Sequence, residues 1–247
     1  MANAEAILKF QQRCAAEYSI NIGLPEDYQY PNGNPIRTVP PIQTRRHGLM
    51  IVGAYPSARF ESRLSSTSSH RRLIPIADNL QPFGDEVYFD GVRVRRLESG
   101  AGLIRYLLGP LGMRADECWI TDLVKVFLYK PEHADSCANV VPGFKATILR
   151  PHFLELGKKS LKWIKAEYDI CEPKLVVTLG EEVARIISGS TLPADKLLVP
   201  TPARPATFRG CVTYHCPHPD ACRRSTRWRN RMEEIVPAIR DRLVGTA

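Results

Sequence analysis

No apolar run in the 247-residue chain approaches the ~20 residues needed to cross a bilayer. Residues 1–17 have no apolar stretch of the secretory-leader kind, so a cytoplasmic protein is expected, nucleoid-associated if bacterial or archaeal. Internal repeats are missing, which sets solenoids and propellers aside. The cysteines, Cys14, Cys118, Cys137, Cys171, Cys211, Cys216 and Cys222, are odd in number and contain no Cys-x-x-Cys pair. That argues against a disulfide framework. Acidic residues are in the minority: 34 Lys and Arg face 26 Asp and Glu, a net charge of +8. Such a balance favours polyanionic partners and says nothing about fold. With 44% apolar residues, the chain has enough to bury one large core.

The stretch around which the rest is arranged is residues 46–59. Gly48 to Val52 is a short apolar run of the kind buried in a parallel sheet. It breaks at once into Gly53-Ala54-Tyr55-Pro56-Ser57. Gly53 allows a tight turn and close approach of a ligand to the backbone, and Pro56 stiffens the turn. In an open α/β sheet, ligands sit at the carboxyl ends of strands.

Residues 5–18 read as a helix with Ile7, Phe10, Cys14 and Ala15 on one stripe. Residues 25–41 read as a Pro- and Asn-rich loop. Residues 60–70 form a Ser/Thr/Arg tract that reads as a mobile loop or as a basic arm on phosphate, with Arg59, Arg63, Arg71 and Arg72 supplying charge. Asp90-Gly91 between Val-Tyr-Phe and Val-Arg-Val predicts a hairpin with a type I′ turn. Ser99 is placed to cap a helix reaching about residue 111. Further strands are expected at residues 118–121, 175–179 and 211–214. Helices are expected at about 144–168, 181–188 and 225–243. This order implies a three-layer αβα sandwich around a four-stranded parallel sheet. Residues 1–44 would be a helix and loop packed on a single domain, 45–247.

Four strand ends then line up: Gly53 to Ser57, Asp122, Gly180 and His218. Four segments carry a resemblance: Ile51-Val52-Gly53-Ala54-Tyr55-Pro56-Ser57, Trp119-Ile120-Thr121-Asp122-Leu123-Val124-Lys125, Lys174-Leu175-Val176-Val177-Thr178-Leu179-Gly180, and His218-Pro219-Asp220. In order and spacing, over roughly residues 45–240, the chain resembles the uracil-DNA glycosylase superfamily. The resemblance implies base excision from DNA, single- or double-stranded, with the damaged base extruded into a pocket and its glycosidic bond hydrolysed. His218 would donate a hydrogen bond to the departing anionic base. Gly53, Ala54, Tyr55, Pro56 and Ser57 would line the pocket, with Phe83 or Phe89 stacking on the base. Ser57, Arg59, Arg63, Lys125, Pro219, Arg223, Arg224 and Arg227 would meet DNA.

The departures from the family pattern matter as much. Active members carry a carboxylate or amide where this chain has Ala54 and Tyr55, and Gly-Ala-Tyr-Pro-Ser looks closest to the Gly-Ser-Phe-Pro-Ser of the hypoxanthine-DNA glycosylase branch. Asp122 stands where uracil readers have Asn. An ionised carboxylate only accepts hydrogen bonds and would repel a uracil O4. A base rich in N–H groups, or a water held for attack, suits it better; a capping or ion-paired Asp is the plain alternative. Glu61 and Asp85 are the other carboxylates that could reach the pocket, with a place on the surface the plain alternative for each. An apolar wedge expected after His218 is replaced by Ala221-Cys222-Arg223-Arg224. Those arginines, with Arg227, Arg229 and Arg231 around Trp228, form the densest basic cluster, at a helix start that favours a bound anion over the alternative of a simple charged face. Cys211, His215, Cys216, His218 and Cys222 fit no zinc spacing, and Cys14 lacks the partner an iron–sulfur cluster needs. No cofactor or metal is expected. A catalytically silent nucleic-acid-binding protein that keeps the fold is the second reading, and an enzyme acting on a nucleotide or RNA the third.

Overall fold

A computed structural model describes residues 2–66, 68–199 and 206–245. The chain opens with α1 (Ala2–Ile22), enters the sheet at β1 (Leu49–Gly53), and leaves it for an antiparallel ribbon, β2 (Ala58–Leu64) and β3 (Arg71–Asp78). A short hairpin follows, β4 (Val87–Phe89) and β5 (Val94–Arg96). Then come α2 (Glu98–Leu103), a π-helical turn at Ile104–Leu108, α3 (Gly109–Leu111), β6 (Cys118–Asp122) and α4 (Pro131–Val140). The last third holds α5 (Phe153–Cys171), β7 (Leu175–Leu179), α6 (Glu181–Ser188), α7 (Ala194–Leu197), β8 (Ala206–Phe208), β9 (Cys211–Cys216), α8 (Pro219–Arg224) and α9 (Thr226–Val244).

The main sheet runs β6-β1-β7-β9-β8. The four expected strands are present and parallel; an antiparallel edge strand, β8, makes five rather than four. Strand alternation explains the two helical layers. Met50, Val52, Trp119 and Val176 point into one apolar cluster with Phe10, Tyr18, Phe153 and Trp163, whereas Leu49, Ile51, Ile120, Leu175 and Val177 point into another with Leu103, Leu107, Met232 and Ile235. β1, β6 and β7 are buried along their whole length, as continuous apolar runs in a central parallel sheet demand.

On α1 the buried stripe is Phe10, Cys14, Tyr18 and Ile22, one residue per turn; Ala15 is exposed. The Tyr18 hydroxyl lies 2.6 Å from Ser160 on α5 and accepts the Lys125 N–H at 2.9 Å. The following loop buries Tyr28, Tyr30, Ile36 and Val39, and the Tyr28 hydroxyl donates to the Phe127 carbonyl at 2.9 Å. Thr44 bridges Trp119, which covers the outer edge of β6.

Several local expectations change. Residues 60–70 are not all loop: 60–64 belong to β2, whose pairing with β3 satisfies backbone that the polar sequence left unassigned. The Asp90 carboxylate accepts the Val92 and Arg93 amides, each at 2.8 Å, so the hairpin closes through that side chain. The helix placed at 144–168 begins only at Phe153, because Pro151 sits in a preceding 3₁₀ turn. Leu97, not Ser99, precedes the first turn of α2.

Candidate active site

From β1 the chain goes to β6 on one side and later to β7 on the other, so the topological switch lies at the carboxyl end of β1. A cleft of about 860 Å³ opens there, lined by residues from Ala54 to Ser57, with Phe83, Asp122, Gly180, Glu182, His218 and Arg224. The ends of β1 and β6 are tied together by Leu123 N–H to the Gly53 carbonyl and Val124 N–H to the Ala54 carbonyl, both at 2.9 Å.

Gly53 is fixed by contact. A Cβ on it would overlap the Phe83 ring and Asp122 Oδ1. Phe83 and Asp122 therefore meet over a backbone with no room for a side chain. Phe83 is held at a φ of 51°, which a bulky residue adopts only when its surroundings force it. Gly100 in α2 supplies part of that force, since a Cβ there would strike the carbonyl oxygens of Phe83 and Gly84. The Phe83 ring centroid lies 6.1 Å from that of His218.

Asp122 is 1% exposed, and both its carboxyl oxygens lack a hydrogen-bond partner among the described residues. Burial pushes its pKa up to about 7; the Lys125 charge opposes this and Glu167 adds to it. The carboxyl is thus a neutral acid over much of the range in which the sequence alone implied an anion. A neutral acid offers one donor and one acceptor, the pair an amide offers.

His218 precedes α8 as its N-cap, and Nδ1 accepts the Asp220 N–H at 3.2 Å. That bond leaves the proton on Nε2. Burial pushes the His218 pKa down to about 4, so the ring is neutral near pH 7. Tyr55 lies 6.0 Å from the Phe153 ring and 5.5 Å from the Arg150 guanidinium, which pairs with Glu182. Burial raises the Tyr55 pKa as well.

Of the residues read from the sequence, Ala54, Tyr55, Pro56, Ser57, Phe83, Asp122, His218 and Arg224 line one cleft, with Gly53 beneath it. Others lie elsewhere. Lys125 is 0% exposed and its ammonium pairs with Glu167 inside the core, so it is not a phosphate contact. Phe89 is 66% exposed on the hairpin and does not line the cleft. Pro219 is buried against Gly102. Arg59 pairs with Glu86, Arg63 with Glu61, and Arg96 with Asp85. Arg223 and Arg224 both pair with Asp220, while Arg227 stacks 5.0 Å from the Trp228 ring. The Cys211 to Cys222 group is dispersed: His215 Nδ1 is held 2.7 Å from Thr178 Oγ1, and among the described residues no His, Cys, Asp and Glu cluster is placed to hold a metal. Lys130, His133, Arg150 and Glu182 were not singled out from the sequence, yet they line the cleft. Only Glu182 carried a signal, lying two residues beyond Gly180.

A neutral histidine and an unpaired buried acid line one cleft at the switch point of this α/β/α fold. Residues 40–240 match the uracil DNA glycosylase superfamily, and the chain belongs to that family. No individual curated protein matches it.

Proposed function

We propose that the protein is a DNA glycosylase that extrudes a deaminated base into the Asp122–His218 cleft and hydrolyses its N-glycosidic bond. The observation that carries the reading is the protonation geometry of His218. With Nδ1 committed to the Asp220 amide, Nε2–H is the group left to donate. As the C1′–N bond breaks, its electron pair moves onto the base, and a neutral N–H donor at a ring carbonyl spreads that charge. Water then bonds to C1′ and loses its proton to solvent. Ala54 and Tyr55 offer no carboxylate for that water, so leaving-group stabilisation supplies most of the rate.

Asp122, as the neutral acid, donates to a ring carbonyl and accepts from the adjacent N–H. That matches the lactam edge shared by uracil, hypoxanthine and xanthine. Family membership supports DNA as the substrate. The test is incubation with single- and double-stranded oligonucleotides carrying these bases, followed by alkaline cleavage of abasic sites. Strand breaks are expected with the wild type, falling about 100-fold or more in His218→Ala. Binding without breaks would instead support a silent nucleic-acid binder, the reading favoured by the missing side-chain functions at positions 54 and 55.

A further inference from the structure

Extruding a nucleotide leaves a hole in the base stack, and closing it with apolar side chains offsets the unstacking cost. The segment after His218 has no such side chain to give. It is the helix α8, in which Cys222 is buried and Arg223 and Arg224 are both held by Asp220.

The β4–β5 hairpin has several. Its pairs Val87↔Arg96, Tyr88↔Arg95 and Phe89↔Val94 send alternate side chains to opposite faces. Tyr88 and Arg95 turn inward, where the Tyr88 hydroxyl accepts the Phe60 N–H at 3.2 Å and Arg95 pairs with the fully buried Asp90. Val87, Phe89 and Val94 face solvent, joined at the turn by Val92; Phe89 and Val94 are 66% and 67% exposed. Single exposed apolar residues are ordinary, but four adjacent ones on a ten-residue hairpin mark a contact surface.

The hairpin is also held in place. Ser62 N–H donates to the Asp90 carbonyl at 2.6 Å, and Leu97 N–H to the Glu86 carbonyl at 2.9 Å. Arg93, Val94, Arg95 and Arg96 form one wall of the cleft that holds Asp122 and His218. Arg93 is exposed and has no ion-pair partner among the described residues; Arg72, on the adjoining ribbon, is the same. Apolar side chains flanked by free cations suit a partner with a stacked interior and an anionic backbone.

We propose that the β4–β5 hairpin is the wedge of this protein, inserting Phe89 and Val92 into duplex DNA at the gap left by the nucleotide in the cleft. The inference rests on the reading that the cleft receives an extruded nucleotide. The experiment uses a duplex with 2-aminopurine beside an abasic-site analogue, and the full chain as wild type and as the Phe89→Ser, Val92→Ser double variant. Thermal melting verifies that the variant is folded, and Phe89→Leu serves as the conservative control. The wild type is expected to raise 2-aminopurine fluorescence by unstacking it. In the double variant the rise should vanish, duplex affinity should fall about tenfold or more, and single-strand affinity should fall less. Phe89→Leu should retain most of the rise.

Equal unstacking by wild type and double variant overturns the wedge, as does a wild type that leaves the fluorescence unchanged. A Phe89-dependent dimer with no Phe89-dependent unstacking overturns it in favour of self-association. Strand cleavage is scored in parallel on duplexes carrying uracil, hypoxanthine or xanthine. Hairpin-dependent unstacking without cleavage overturns the glycosylase reading and leaves the wedge in place; cleavage with hairpin-independent unstacking does the reverse.

Discussion

Asp122 and His218 titrate in opposite senses, because burial opposes whichever form is charged. The Asp122 acid, pushed up to about 7, is neutral below that pH, and there it can pair with both groups of a lactam edge. As pH rises through about 7 it ionises and repels a ring carbonyl. The His218 ring, pushed down to about 4, stays neutral above that pH and keeps Nδ1 free to accept the Asp220 amide. Single-turnover cleavage should therefore be fastest between about 4 and about 7 and decline on the alkaline side. Asp122→Asn should remove the alkaline decline, since an amide presents donor and acceptor at every pH. A decline that persists in the Asn variant would show that another group titrates.

β6 reaches the cleft on a support that is itself polar and buried. From α5, Glu167 accepts the Trp119 Nε1–H at 2.8 Å and the Thr121 hydroxyl at 3.1 Å, and it pairs with the Lys125 ammonium. That ammonium also donates to Thr121 Oγ1 at 2.6 Å and to the Asp122 carbonyl at 3.0 Å. The network thus grips the backbone of the residue whose side chain enters the cleft. Glu167→Leu leaves a buried cation without compensation and should cost about 3–5 kcal/mol, read as a lower urea midpoint. Adding Lys125→Met should restore part of the loss, because it removes the unpaired buried charge while the Trp119 and Thr121 donors stay without Glu167. A phosphate-binding Lys125 would behave otherwise, weakening DNA binding with little change in stability.

The chain as a whole carries a cation excess of +8, and around the cleft and its hairpin those cations are unequally paired. Arg59, Arg63, Arg95 and Arg96 are matched by nearby carboxylates, whereas Arg93 and Arg72 are exposed with none among the described residues. Non-specific affinity should then come from few phosphate contacts. A plot of log Kobs for DNA against log salt is expected to have a slope of about −2 to −4, near −0.9 per phosphate on duplex. Fluorescence anisotropy across a salt series measures it. A slope near zero would remove nucleic acid as the partner.

Apolar runs and glycines in the sequence were enough for the parallel strands, their order in the chain, and the gathering of Gly53, Asp122 and His218 at strand ends. Buried central strands must be continuously apolar, and that pattern is local. The ribbon at residues 58–78 and the edge strand β8 were not legible, because their strands are polar or only three residues long, and the inward turn of Lys125 was not legible because its partner, Glu167, is distant in sequence. The protonation of Asp122 belongs to the same class. A sequence names a carboxyl group, but only the packing around it sets how much water it keeps, and hence whether it meets a base as an acid or as an anion.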